Sequence, residues 1–97
     1  MTEEALHKAQ RVYIADSTEV GVARRILASN LRDRRLARRW SQEFLGFECG
    51  LHRTFIAHVE GGVRNISIDN LERLASALCV QTYELLMPLN IGPGSSD

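Results

Sequence analysis

The stretch ECGLHRTF, Glu48 to Phe55, sets a cysteine, a glycine and a histidine side by side, and His58 follows six positions after His52. Thiol and imidazole are the side chains that hold zinc. A structural zinc, however, needs four of them closing a tetrahedron, supplied as closely spaced pairs. Here Cys49 has no second cysteine near it, and His52 and His58 do not form a His-x-x-x-His pair. Neither a metal nor a cofactor is expected. The chain also lacks clustered acids, a phosphate-cradling glycine loop and a nucleophile set beside a base, so an enzyme is the least supported class.

Charge points to recognition of a surface instead. The formal net charge over 97 residues is zero, yet between Arg24 and Arg64 nine arginines face four acids, leaving that segment at +5 and the remainder at −5. Every base in the segment is arginine, whose planar fork suits phosphates and base edges. A solvated helix face accounts equally well for Arg24, Arg25 or Arg38 taken singly. An apolar content of 44% with 25% charged residues belongs to a globular chain. No apolar run is long enough to span a bilayer, and the acidic N-terminus does not read as a signal peptide. Cys49 and Cys79 sit among apolar residues and make no disulfide framework, which suits a reducing, cytoplasmic setting.

The elements that position these residues read as helices. Residues 1–20 are weakly patterned and suit either an arm or a short helix. From Val22 the apolar residues Val22, Ile26, Leu27, Leu31 and Leu36 recur at helical spacing. Ser41 offers an N-cap for a second helix running to about Cys49, where Gly50 breaks it. His52 or Arg53 opens a third helix, which ends at Gly61-Gly62. Asp69 is the expected cap of a fourth helix with Leu71, Leu74, Ala75 and Leu78 inward. Thr82 is the expected cap of a short fifth helix halted at Pro88. Residues 91–97, rich in Gly, Pro and Ser, read as a flexible tail. The expected architecture is all-α, with five helices forming one domain over residues 21–90.

Two short helices joined by a tight turn need a small residue where they cross and a turn residue that tolerates a left-handed backbone. Counting from Gln42, Gly46 falls four positions on and Gly50 eight. The five sites that must be apolar to seal the crossing are Leu45, Cys49, Leu51, Ile56 and Val59, and all five are. The run WSQEFLGFECGLHRTFIAHVEGGVRNISIDNLERLASAL therefore resembles the lambda-repressor-like (Cro/CI, XRE) helix-turn-helix family from Arg32 to about Met87. Within it, GLHRTFI and RNISIDNLERLASAL look nearest to the controller proteins of restriction–modification systems.

The resemblance implies sequence-specific binding of double-stranded DNA, with the third helix in the major groove. His52, Arg53, Thr54, Ala57 and His58 are then the base-reading residues. Arg53 suits guanine, because its fork can donate to O6 and N7 together. Phosphate contacts fall to Arg35, Ser41, Gln42, Arg64 and Asn65. Ser41 and Gln42 lie at a helix N-terminus, where free N–H groups favour an anion. Three departures from the family pattern stand out. Phe55 replaces a tyrosine and loses its hydroxyl, Gly46 replaces an alanine at about 1 kcal/mol of helix propensity, and Gly61 stands where a polar or basic residue is frequent.

One such domain touches few base pairs, so useful specificity implies a homodimer on a near-palindromic operator. Leu85, Leu86, Met87, Leu89 and Ile91 crowd the end of the domain and form the expected dimer patch. By family analogy, Glu43 is an expected contact to RNA polymerase. The implied function is transcriptional control of restriction–modification genes. An antitoxin or a phage-type repressor is the alternative within the same family, and a metal-binding protein or enzyme is the distant third.

Overall fold

The computed structural model describes residues 21–88. The expectations for residues 1–20 and 91–97, and for Leu89 and Ile91, lie outside them. Among the described residues there are four α-helices: α1 (Val22–Ala37), α2 (Gln42–Cys49), α3 (Arg53–Glu60) and α4 (Ile68–Ala77). The expected fifth helix, Thr82–Leu86, is instead a five-residue 3-10 helix. Only that short stretch separates its cap from Met87, where the backbone turns extended, and 3-10 geometry is usual for such short pieces.

Local chemistry sets each start. Ser41 caps α2 as expected, its Oγ accepting the Phe44 N–H at 2.9 Å. The other two caps differ from expectation. Ser67, not Asp69, caps α4 by accepting the Asn70 N–H at 3.0 Å. Asp69 falls inside the first turn, where a carboxylate complements the helix dipole. Gln81, not Thr82, caps the 3-10 helix, and its N–H donates to Glu84 Oε2 at 3.2 Å.

Leu27 and Leu31 of α1, Leu45 and Cys49 of α2, Ile56 and Val59 of α3, and Leu71, Leu74 and Leu78 around α4 make one continuous core. Leu36 is not part of it and is 50% exposed. Five positions past Leu31, it is rotated about 140° around the helix. Two polar residues of α1 are buried instead. Asn30 Nδ2 donates to the carbonyls of Leu85 at 2.9 Å and Met87 at 2.6 Å, with a longer contact to Glu84 at 3.4 Å. That side chain fastens the C-terminal turn to α1 and satisfies carbonyls that the short helix leaves unpaired. The other buried polar residue, Arg35, belongs to the site below.

Candidate nucleic-acid interface

The turn between α2 and α3 is built from two glycines with different tasks. Gly50 adopts φ +73°, a left-handed conformation that side chains with a Cβ resist. This lets the Leu51 N–H return to the Gly46 carbonyl at 2.8 Å and close the end of α2. Gly46 sits where the helices cross. A Cβ there would drive into the Leu51 carbonyl oxygen and press on the Arg53 N–H. The seal around the turn matches the sequence: Leu45, Cys49, Ile56 and Val59 are buried, and Leu51 is half-buried against the core.

With Ile56 and Val59 turned inward, α3 presents Arg53, Thr54 and His58 to solvent, with Ala57 half-buried between them. His52 is exposed as well but also serves its own helix, Nδ1 accepting the Thr54 N–H at 3.0 Å as the N-cap of α3. Only a ring nitrogen without a proton can accept that bond. In the loop beyond α3, the Arg64 guanidinium lies 5.0 Å over the Phe55 ring. Asn65 is exposed beside it.

Arg35, expected among the phosphate contacts, lines the same groove as Gln42, but its donors are spent inside the protein. Its Nε and Nη2 donate to the two carboxylate oxygens of Glu60 at 2.6 and 2.9 Å, and its Nη1 donates to the Trp40 carbonyl at 2.7 Å. The side chain is buried, and its hydrogen bonds to Glu60 raise its pKa above the ordinary arginine value despite the opposing effect of burial. The expected phosphate ligand is thus a fastener inside the protein. Gln42 joins the same carboxylate, Nε2 donating to Glu60 Oε1 at 3.1 Å. Glu60 therefore connects α1, α2 and α3, a role that sequence reading missed. The only signal for it was a lone acid closing a helix within an arginine-rich segment.

Leu85 leaves the expected dimer patch. It is 0% exposed and completes the core, because Asn30 draws its carbonyl onto α1. Leu86 and Met87 remain exposed, as do Ile68 and Tyr83, which the sequence reading did not single out. It also passed over an aromatic row, in which Trp40 and Phe44 meet edge-on at 5.0 Å and Phe47 follows at 6.3 Å from Phe44. Glu43 is exposed on the same helix. Among the described residues no group of three His, Cys, Asp or Glu side chains comes together as a metal site, and no helix is long and apolar enough to cross a membrane.

A glycine-pivoted helix pair with its second helix held outward defines a helix-turn-helix domain. The helix-turn-helix family model matches residues 31–85, and the chain belongs to the lambda-repressor-like branch of that family. It is 46% identical over 70 residues to the control protein C.BamHI of Bacillus amyloliquefaciens, covering 71% of this chain and 86% of the relative. It is 44% identical over 61 residues to the control protein C.SmaI of Serratia marcescens, covering 63% of this chain and 73% of that protein. The crystal structure of the restriction–modification controller protein C.AhdI of Aeromonas hydrophila superposes with a TM-score of 0.62 at 40% identity, over 64% of this chain and 94% of the other.

Proposed function

We propose that this chain is a sequence-specific, double-stranded DNA-binding transcriptional regulator of the restriction–modification controller type, acting as a homodimer on a near-palindromic operator. The observation that carries the reading is the outer face of α3, where Arg53, Thr54 and His58 stand exposed on a helix whose inner face is wholly committed to the core. Such a helix can enter a major groove without rearrangement of the protein. Arg53 reads guanine, Thr54 and Ala57 approach thymine methyl groups, and His52 and His58 flank them. Ser41, Gln42, Arg64 and Asn65 hold the backbone on either side.

Leu86 and Met87, with Leu89 and Ile91 beyond the described residues, supply the dimer contact. Glu43, exposed on α2, is the contact offered to RNA polymerase. The description of the similar C.AhdI structure as a restriction–modification controller protein supports the assignment to restriction–modification gene control. Selecting bound duplexes from a random pool is the test. Enriched sequences should contain two inverted half-sites about one helical turn apart, and light scattering should give a dimer at micromolar concentration without DNA. A pool with no enriched motif would sink the proposal.

A further inference from the structure

Arg32 and Arg35 lie one turn apart on α1 and line one open groove with Gln42, Ala57, Glu60 and Gly61. Two guanidiniums against one carboxylate leave this groove at +1. The surplus belongs to Arg32, because Arg35 and Glu60 satisfy each other at 2.6 and 2.9 Å. Remove Arg32 and the groove is neutral. Arg32 is exposed, and among the described residues it has no hydrogen-bond or ion-pair partner. It also borders a second groove, with Ser29, Gly61 and Gly62, so its side chain stands at the edge common to both.

We infer that Arg32 is a DNA-backbone contact, holding a phosphate diester that passes Gln42 at the head of α2. This rests on the DNA-binding reading above. A duplex laid on the outer face of α3 brings one strand past Ala57, and the same groove joins Ala57 to Gln42 and Arg32. Gln42 is uncharged and Arg35 is neutralised, so Arg32 is the one full positive charge that this groove offers a phosphate. A guanidinium fork meets a phosphate with two parallel N–H donors. Arg32 thereby takes the place that the sequence alone assigns to Arg35.

The test is Arg32→Gln, titrated by fluorescence anisotropy over a salt series against a selected duplex and a random one. Loss of one phosphate contact lowers the slope of log affinity against log salt by about 0.9 on both duplexes. Arg32→Lys should keep most of the slope, and the thermal midpoint should not move, since the side chain supports nothing in the fold. Arg73→Gln, which removes a charge from the acid-lined groove between α2 and α4, should leave the slope alone. An unchanged slope in Arg32→Gln, an equal fall in Arg73→Gln, or a loss confined to the selected duplex would each overturn the inference while leaving the DNA-binding reading intact. A wild-type chain that binds neither duplex would overturn both.

Discussion

The guanidinium of Arg35 and the carboxylate of Glu60 meet at two points, 2.6 and 2.9 Å apart, with side chains only 10% and 5% exposed. Desolvating both charges is unfavourable, and good geometry only offsets it. Stranding one of them is worse. Glu60→Ala should therefore lower the unfolding free energy by about 3–5 kcal/mol in urea titrations. The double change Arg35→Met with Glu60→Leu should cost less than Glu60→Ala alone. A single variant that unfolds at the wild-type midpoint would show the pair to be dispensable.

Gly46→Ala sets two effects against each other. Alanine gains about 1 kcal/mol in helix propensity, but its methyl collides with the Leu51 carbonyl, which is backbone and cannot swing aside. Overpacking of this kind costs about 1–3 kcal/mol, so the net change should be destabilising. Chemical denaturation decides it, and a stabilised variant would mean that the crossing is looser than the structure describes.

Arg39 carries φ +60° just after α1, a left-handed backbone that is unfavourable for any residue with a Cβ by about 1–2 kcal/mol. Glycine relieves that strain but loses more entropy on folding. Arg39→Gly should accordingly raise stability by about 0.5–1 kcal/mol, visible as a higher thermal midpoint. A lower midpoint would place the arginine side chain in a contact that outweighs the strain.

Arg53 and Arg64 should fail in different ways. Arg53→Ala should cost about 1–3 kcal/mol on the selected duplex and relax the choice of base. Arg64→Ala should weaken all duplexes alike and flatten the salt slope by about 0.9. Stability should hardly change in the second variant, because the Arg64 guanidinium is solvent-exposed where it lies over the half-buried Phe55 ring, and a cation–π contact of an exposed cation contributes about 0.5–1 kcal/mol. Equal losses for Arg53→Ala on specific and random DNA would remove it from base reading.

The two thiols should also differ. Burial pushes the Cys49 thiol above its ordinary range, while its Sγ donates to the Leu45 carbonyl at 3.0 Å. Cys79 is exposed. A thiol reagent should modify Cys79 quickly and Cys49 only at the rate of unfolding. Because Cys49 keeps its proton longer folded than unfolded, its contribution to stability is complete below the ordinary thiol range. It then declines as pH rises from that range through the raised folded value. Two equally fast thiols would contradict the burial.

Positions dictated by local geometry were legible in the sequence. Gly46, Gly50 and the five sealing residues sit at offsets that only a helix crossing demands, and Ser41 caps its helix through its own hydroxyl. What escaped was decided by contacts between distant segments. Leu85 looked like surplus surface because nothing in its neighbourhood shows that Asn30, 55 positions earlier, draws it inward. Arg35 looked like one more base in a basic run, and only the arrival of Glu60 from another helix makes it internal. Apolar periodicity cannot register polar pairs of this kind.

On α3, the residues that hold the helix in place (Ile56, Val59 and Glu60) are different from the ones it turns outward (Arg53, Thr54 and His58). On the proposed reading, targeting and folding are thus written in separate positions of one eight-residue helix. A library randomised at 53, 54 and 58 should yield well-folded proteins with new operator addresses, the raw material for sets of regulators that ignore one another's promoters.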